Sequence, residues 1–289
     1  MKITERCTAK INLSLDVVSK RPDGYHNLLM IMQGLELSDT LTVEQTQTGE
    51  IEILCNLPYI PTDETNHAHK AAVAFFEHTG MQNPGLLINI EKNIPSAAGM
   101  AGGSSNAAGV LRGLNRMFNT GLKGQTLMEI GLKVGADVPY CICGGTKLAS
   151  LLGQELEPLP SMPDCHVLIC KPEFGISTPK VFANLKLDQI KDRPDTKLLV
   201  NALETGDLNR LAKNMKNVLE QGIYIGGAQI AGIKSAMLDL GALGAMMTGS
   251  GSAVFGIFDN ESSAKSAYNQ LKNKYNQTFL TRPEKGEYI

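Results

Sequence analysis

The segment from Lys92 to Asn106 combines glycine, serine and asparagine in a pattern typical of anion binding. It follows an alternating stretch and precedes a stretch with helical periodicity. Glycines let a backbone curl around a ligand, and the start of the next helix presents free N–H groups and a positive dipole end. The pattern favours a phosphate site, and a tight strand–helix connection without a ligand is the alternative.

This segment matches neither of the common phosphate-binding motifs. The chain contains no G-x-x-x-x-G-K-[ST] sequence, and Gly249-Ser250-Gly251 lacks the third glycine of G-x-G-x-x-G. P-loop ATPases and Rossmann dehydrogenases are therefore disfavoured by the sequence.

Two charged residues, far apart in the chain, are weaker candidates for chemistry. Lys10 lies beside Asn12 on the polar face of an alternating first strand. Asp137 lies in Gly135–Tyr140, where we predict the end of a helix stopped by Pro139. A solvated strand lysine and a surface-turn aspartate are the simpler interpretations, and the local sequence leaves both open.

Two further segments carry weaker signals. Residues 248–252 read Thr-Gly-Ser-Gly-Ser, which suits either a binding loop or an ordinary hairpin turn. Tyr25 and His26 follow the Arg21–Gly24 turn and could stack on a planar base. His67 and His69 lie two positions apart on a predicted helix, so they point to different faces and form a poor metal site.

Composition excludes several classes of protein. The chain has 289 residues, 29 of them glycine, with 43% hydrophobic residues and a formal net charge of -2. These values disfavour disorder and give no global attraction to nucleic acid or to an anionic membrane. We find neither a targeting segment nor an apolar run of about 18 residues. The sequence therefore predicts a protein in the cytoplasm, without membrane or nucleic-acid partners.

The six cysteines predict neither a zinc site nor a disulfide framework. They form no C-x-x-C pair, and a long chain without a signal peptide rarely relies on disulfides. Cys141 and Cys143 are interpreted as small buried residues in or near a strand.

The elements that must position these residues follow from periodicity and turn signals. The first strand and a second from Tyr25 to about Glu44 form a hairpin, and a helix runs from Asn66 to Gly80. Proline concentrates near residues 155–163, which is the predicted domain boundary. The other elements are predicted as strands at 86–91, 145–151, 165–170 and 278–281, helices at 107–118, 126–134, 179–186, 196–204, 207–220, 226–239 and 261–275, and a hairpin over 242–258.

The glycine-rich segment, Lys10, Asp137 and the 248–252 segment occur together in one chain. In their order along the sequence, the chain resembles the GHMP kinases. Pro95–Ala108 resembles the family's second motif and Thr248–Ala253 its third. The resemblance implies an α+β, two-domain GHMP kinase fold with the active site in the cleft between the domains, 1–157 and 158–289. Ala9–Leu13, Arg21–His26 and Gly135–Pro139 resemble one branch of the family. That branch phosphorylates the 2-hydroxyl of a methylerythritol unit linked to cytidine diphosphate, in non-mevalonate isoprenoid biosynthesis.

The resemblance also implies roles for individual residues. Asp137 would accept the hydroxyl proton and also bind the substrate, with Lys10 as its catalytic partner. The substrate's cytidine end would be bound by Asn12, Tyr25, His26, Thr178 and Phe182. ATP would be bound by Asn66, Lys92, Pro95, Ala97, Ala98, Gly99, Met100, Ala101, Gly102, Gly103, Ser104 and Ser105. Mg²⁺ is expected beside ATP, with no metal ligand assigned.

Two residues depart from the family pattern. Met100-Ala101 stands where many relatives have Leu-Gly, and Ala101 would be strained by about 1 kcal/mol if a positive φ is required there. Asn106 stands where some relatives have Asp; it could cap the helix, and it weakens any claim of a metal ligand.

Two alternative functions stay open beside the cytidylyl substrate. One keeps the fold with another alcohol, such as homoserine or a mevalonate-type substrate. The other is a catalytically silent nucleotide-binding protein, against which the presence of both Lys10 and Asp137 argues. A monomer and a homodimer are equally open.

Overall fold

Two long antiparallel strands form the spine of the first half of the molecule. In the computed structural model, which describes residues 1–286, β1 spans Lys2–Lys20 and β2 spans His26–Gln45. Their register runs from Lys2 opposite Glu44 to Lys20 opposite His26. The turn between them contains Gly24 at φ 88°, a conformation that glycine adopts without strain. The predicted hairpin is thus confirmed.

Five shorter strands complete this first sheet. Its order is β3-β4-β2-β1-β8, with β5 paired to the other end of β2 and β6 paired to β5. The bounds are Ile51–Cys55 for β3, Leu86–Glu91 for β4, Thr146–Leu151 for β5, Glu155–Pro158 for β6 and Lys216–Asn217 for β8. The sequence did not predict β3.

Four helices accompany this sheet: α1 at His67–Thr79, α2 at Gly102–Met117, α3 at Gly124–Val134 and α4 at Val138–Cys143. Helix α2 is the central one, and all its residues from Ser105 to Leu114 are buried. Its glycines make this possible, because a Cβ at Gly109 would lie only 2.4 Å from the Cys7 sulfur. The helix that begins at the glycine-rich loop is therefore fixed deep in the core.

A second, four-stranded antiparallel sheet has the order β11-β7-β10-β9. Its strands are β7 at His166–Lys171, β9 at Gly244–Met247, β10 at Val254–Phe258 and β11 at Gln277–Thr281. The helices of this half are α5 at Thr178–Asn184, α6 at Thr196–Glu204, α7 at Leu208–Asn214, α8 at Gly227–Asp239 and α9 at Glu261–Lys272. Two 3₁₀ turns lie at Leu187–Gln189 and Val218–Gly222.

The two sheets share a buried apolar cluster. Ile11 and Leu13 of β1 belong to the same cluster as Ile169 and Phe255 of the second sheet. Lys10 and Asn12, which alternate with Ile11 and Leu13 along β1, are buried as well. The prediction that one face of this strand is polar and open to water is therefore wrong at Lys10 and Asn12. The second sheet packs on the face of Ile11 and Leu13, while Lys10, on the other face, contacts Met100 and Asp137.

Two other local predictions are wrong. The predicted helix over 207–220 ends at Asn214, because Lys216 and Asn217 pair with Ser14 and Leu15 of β1 instead. Asp137 does not end a helix that Pro139 stops: Pro139 lies in the first turn of α4, where a missing N–H is tolerated.

The cysteine interpretation is half right. Cys141 and Cys143 are buried as expected; they lie in α4 and not in a strand, although α4 ends just before β5. All six cysteines are free thiols. Within residues 1–286, no helix has the length and hydropathy required to cross a membrane.

Candidate active site

A cleft of about 1360 Å³ opens between the two halves of the molecule. The glycine-rich loop, the start of α2 and residues of β1 and β2 form one side, while α5 and the segment Gly249–Gly251 form the other. Of the residues predicted for the site, all but Ser105 line this cleft. Ser105 is buried within α2, where its N–H donates to the Ala101 carbonyl at 2.8 Å.

The glycine-rich loop connects β4 to α2 through several left-handed residues. Gly99 has φ 74°, and the non-glycine residues Ala97 and Ala101 have φ 50° and 57°. Ala101 also occupies the N-cap position of α2, and within the described chain no side chain caps that helix start. The first-turn N–H groups and the positive dipole end therefore face the cleft, as an anion site requires.

Contacts with β1 and with the 248–252 turn hold the loop. The Lys10 N–H donates to the Met100 carbonyl at 3.2 Å. A Cβ at Gly99 would lie 2.2 Å from the Thr248 carbonyl oxygen, so only glycine permits this approach. The hydroxyl of Thr248 accepts from the Asn12 N–H at 3.1 Å and donates to the Gly99 carbonyl at 3.4 Å. The 248–252 turn therefore lies directly against the glycine-rich loop.

Lys10 and Asp137 face each other beside this loop. The Lys10 Nζ lies 3.7 Å from Asp137 Oδ2 and donates to Asn12 Oδ1 at 2.8 Å. The lysine side chain is 5% exposed and the aspartate side chain 34%. The simpler interpretation of Lys10 as a solvated lysine is therefore wrong. The partly exposed Asp137 carboxylate faces the buried Lys10 ammonium, which Asn12 orients.

Aromatic side chains lie at another end of the cleft. The rings of His26 and Phe182 stack with centroids 5.0 Å apart and an interplanar angle of 24°, while Tyr25 is 65% exposed. Burial, and secondarily the charge of Lys20, lowers the pKa of His26. The Thr178 and Ser250 hydroxyls are 2.7 Å apart and share a hydrogen bond. His26 and Phe182, both predicted to bind a base, thus form a flat aromatic surface.

Asn66 and Lys92 frame the side of the loop that faces α1. Asn66 caps α1, accepting from the Ala68 N–H at 2.8 Å, and its amide also donates to the Pro61 carbonyl at 2.6 Å. Lys92 is 7% exposed and forms an ion pair with Asp39. Both line the cleft, but their polar groups are largely engaged within the protein.

Asp39, a charged residue inside an otherwise ordinary β2 strand, was not predicted from the sequence. The capping role predicted for Asn106 is wrong. Asn106 lies inside α2 and donates its amide to Asp39 at 2.9 Å.

His67 was considered from the sequence only as a metal ligand. Its Nδ1 is buried without a hydrogen-bond partner among the described residues, and burial lowers its pKa.

The described residues were compared with the ligand sets that hold metal ions in proteins. Among residues 1–286, no three His, Cys, Asp or Glu residues come together in a way that could hold an ion. Asp39 accepts four hydrogen bonds and is not available as a ligand. Mg²⁺ usually keeps water and phosphate oxygens around one or two carboxylates. We therefore assign no metal ligand in this chain.

Two family models match the chain. The model described as GHMP kinases N terminal domain matches residues 66–145, and the one described as GHMP kinases C terminal matches residues 199–277. Together they cover more than half of the sequence. The chain belongs to the GHMP kinases. The first match of this GHMP kinase includes the glycine-rich loop and Asp137, and the second includes the Thr248–Ser252 turn.

Full-length relatives support the assignment of this GHMP kinase. A protein of Clostridium botulinum (strain Eklund 17B / Type B), named 4-diphosphocytidyl-2-C-methyl-D-erythritol kinase, is 47% identical over 95% of this chain and 97% of its own length. A protein of the same name from Acetivibrio thermocellus is 46% identical over 97% of this chain and 98% of its own.

Solved structures agree with the fold of this GHMP kinase. A crystal structure of 4-(cytidine 5'-diphospho)-2C-methyl-D-erythritol kinase matches with a TM-score of 0.83 and 29% identity, covering 98% of this chain and all of that one. A homoserine kinase from Cytophaga hutchinsonii matches with a TM-score of 0.76 at 18% identity, over 99% of this chain and 96% of its own. The second match shows the fold alone.

Proposed function

We propose that this GHMP kinase transfers the γ-phosphoryl group of ATP to the 2-hydroxyl of 4-diphosphocytidyl-2-C-methyl-D-erythritol. The products are the 2-phosphate and ADP, and the reaction belongs to non-mevalonate isoprenoid precursor biosynthesis. The observation that carries the proposal is the Lys10–Asp137 pair, 3.7 Å apart beside the phosphate loop. Relatives named for this activity, at 46–47% identity over nearly the whole chain, support the choice of substrate.

The proton step follows from the exposure of the two charged groups. The Asp137 side chain is 34% exposed, so its carboxylate can meet a substrate hydroxyl, whereas the Lys10 ammonium is buried behind it. Asp137 accepts the hydroxyl proton as the substrate oxygen bonds to the γ-phosphorus, and the bond between that phosphorus and the ADP oxygen breaks. Lys10, oriented by Asn12, holds the carboxylate in place. Positioning and charge neutralisation dominate such transfers.

The phosphate loop supplies the positioning for ATP. Small residues keep the loop surface open, and the uncapped start of α2 directs N–H groups toward the cleft. The contacts of Gly99 with Thr248 and of Met100 with Lys10 fix the loop against both halves of the molecule. Mg²⁺ would arrive with the nucleotide and neutralise charge on its phosphates, and its coordination is left unassigned.

The aromatic end of the cleft favours a substrate that carries a base. His26 and Phe182 already stack on each other at 5.0 Å, so a cytosine would have to pack on a free face of this pair or separate the two rings. Homoserine and mevalonate-type alcohols have no group that needs such a surface. The exposed Tyr25 ring and the Thr178 hydroxyl are the other proposed contacts of the cytidine portion.

We also propose the division into domains at residues 157 and 158. The first sheet's β6 ends at Pro158, one residue beyond the proposed division, and the second sheet begins with β7 at His166, which supports a boundary near this point and between residues 159 and 165. The free cysteines suit a reducing compartment, and we propose the cytoplasm as the location. Small-molecule substrate and ATP are the proposed partners, as a monomer or a homodimer.

An ATP-consumption assay with two acceptors tests the function. The cytidine-diphospho substrate and free methylerythritol 4-phosphate are compared at equal concentration, with ADP release as the readout. Rapid ADP release is expected only with the cytidine-diphospho compound. Equal rates with both acceptors would remove the cytidine from the proposal, and no ADP release with either would remove the kinase activity.

A further inference from the structure

Asp39, on β2, is a buried carboxylate outside the proposed catalytic machinery. It is 0% exposed, and it does not line the cleft. A buried carboxylate is expensive unless it is paired and hydrogen-bonded. The identity of its partners therefore indicates what this residue does for the protein.

Its first oxygen holds the entrance to the phosphate loop. Asp39 Oδ1 accepts from the backbone N–H of Asn93 at 2.7 Å and of Ile94 at 2.8 Å. These two residues come directly after β4 and lead into Pro95, where the loop begins to line the cleft. The carboxylate thus fixes the point at which the chain leaves the sheet.

Its second oxygen holds the other end of the loop. Asp39 Oδ2 accepts from the Asn106 side-chain amide at 2.9 Å and from the Lys92 ammonium. Asn106 lies in the second turn of α2, the helix that the loop feeds. One carboxylate therefore connects the start of the loop to the helix at its end.

The Lys92 ammonium explains why this position needs a negative charge. Its Nζ also donates to Asn106 Oδ1 at 3.2 Å. A Cβ at Gly102 would lie 2.9 Å from this Nζ, so the ammonium lies directly beneath the first residue of α2. A buried cation at the positive end of a helix dipole is unfavourable without a counter-charge. Asp39 supplies that counter-charge.

We propose that Asp39 is a positioning residue for ATP: it sets the geometry of the phosphate loop from behind, without contacting the nucleotide. The inference rests on the proposed function, because it takes the loop to be the ATP site. It predicts that changes at Asp39 act on ATP affinity and leave the cytidylyl substrate nearly unaffected. A merely structural role would instead lower the folded fraction and leave the ATP affinity of the folded molecules unchanged.

The first variant is Asp39→Asn in the full chain. An amide has one acceptor, so whichever way it turns, its NH₂ group faces either the two backbone donors or the Lys92 and Asn106 donors. The dissociation constant of a non-hydrolysable ATP analogue, measured by calorimetry, is expected to rise about ten-fold or more. Affinity for the cytidine-diphospho substrate is expected to change less than about two-fold.

The double variant Asp39→Asn, Asn106→Asp moves the charge across an existing hydrogen bond. The new amide oxygen at position 39 keeps the two backbone N–H groups, and its NH₂ group faces the new carboxylate at position 106, which also pairs with Lys92. ATP-analogue affinity is expected to recover to within about three-fold of the unsubstituted chain. Failure to recover, when the double variant is folded, would contradict the proposal.

The outcomes separate this inference from the proposed function. If the unsubstituted chain does not bind the ATP analogue, the proposed function fails and this inference falls with it. If it binds and Asp39→Asn binds equally well, only the role of Asp39 is overturned. Should both variants fail to fold, Asn106→Ala decides, since it removes one anchor and keeps the charges. Its ATP-analogue affinity is expected to weaken by about three-fold, and unchanged affinity overturns the proposal.

Discussion

The phosphate-loop end of the cleft is built from backbone, whereas the aromatic end is built from side chains. At the first, Gly99 approaches the Thr248 carbonyl so closely that a Cβ would lie 2.2 Å from it. At the second, His26 follows a surface turn and Phe182 lies on the seven-residue helix α5. Hydrogen bonds to β1 and to the 248–252 turn hold the loop. At the aromatic end the two rings stack on each other, and Phe182 also packs against the apolar core.

This difference indicates two ways in which the cleft can select a ligand. A backbone cradle recognises phosphate, which is common to all nucleoside triphosphates, and it tolerates few changes because each close approach involves main-chain atoms. His26 and Phe182 are half-buried, at the start of β2 and on the short helix α5, and they are proposed to recognise one base. Substitutions at the phosphate-loop end should therefore affect both ATP binding and stability, and those at the aromatic end only the second substrate.

The largest effect is expected between the two ends, at the reacting hydroxyl. Asp137→Asn removes the proton acceptor and should lower the turnover number by about 10²- to 10⁴-fold. Binding of an ATP analogue should stay within about two-fold, because the loop is untouched. Steady-state kinetics and calorimetry measure the two quantities. Asp188→Asn, an exposed carboxylate that lines the same cleft, is the control, and near-normal turnover of Asp137→Asn would remove this residue from the mechanism.

The next effect tests the rigidity of the backbone cradle. Gly99→Ala combines a positive φ with a clash against the Thr248 carbonyl, and it should destabilise the fold by about 2–4 kcal/mol. ATP-analogue affinity should also fall by roughly ten-fold or more. Thermal unfolding and calorimetry are the measurements.

Gly121→Ala is the matched control for the cradle. Gly121 also has a positive φ, 66°, but a Cβ there would have nothing within 4 Å. This variant should show only the conformational cost, about 1–2 kcal/mol. Equal destabilisation by the two variants would mean that the contact between the loop and the turn is not rigid.

At the aromatic end, His26→Ala should weaken the cytidine-diphospho substrate by about ten-fold, because one member of the stacked pair is lost. The Michaelis constant for ATP should stay unchanged, which is the asymmetry that the comparison predicts. Both constants come from steady-state kinetics. His78→Ala, exposed in the last turn of α1, is the control. A parallel rise in both Michaelis constants would contradict the separation of the two ends.

The smallest effect concerns strain inside the cradle. Ala101 has φ 57°, and Ala101→Gly should relieve roughly 1 kcal/mol of left-handed strain, offset in part by the flexibility of glycine in the unfolded chain. A rise in the melting temperature of about 1–3 °C is expected. Ala74→Gly, within the regular helix α1, should have the opposite sign. A lower melting temperature for Ala101→Gly would show that the alanine side chain contributes packing that outweighs its strain.

Much of the local structure was predictable from the sequence. The first hairpin, helix α1 with its Asn66 cap and Gly80 end, and helix α6 at residues 196–204 follow from short-range signals. The helix over 207–220 was wrong because two residues of β8 pair with β1, a contact that is not visible locally. The short helix α4 was not predicted. The role predicted for Pro139 is to stop a helix, but proline is also favourable in the first turn, and here it lies at the start of one.

The candidate site divides in the same way. The phosphate loop and the 248–252 turn carry their own sequence signatures, and the predicted strain at Ala101 is present in its backbone. Asp39 had no such signature: a single aspartate in a strand reads as an ordinary polar position until the fold places four donors around it. Lys10 likewise had the pattern of a solvated lysine, and only the fold places Asn12, Met100 and Asp137 around it.

By itself, the sequence determined the glycine-rich segments with their turn chemistry, and the family through motifs in a fixed order; the roles of Lys10 and Asp137 were expectations from that resemblance. Only the tertiary structure decided that Lys10 and Asp137 stand 3.7 Å apart, that Gly99 meets Thr248, and that His26 meets Phe182. The physical reason is range. Turn chemistry, capping and periodicity act within a few residues, whereas burial, ion pairing and ring stacking depend on which distant surfaces the packed sheets bring together.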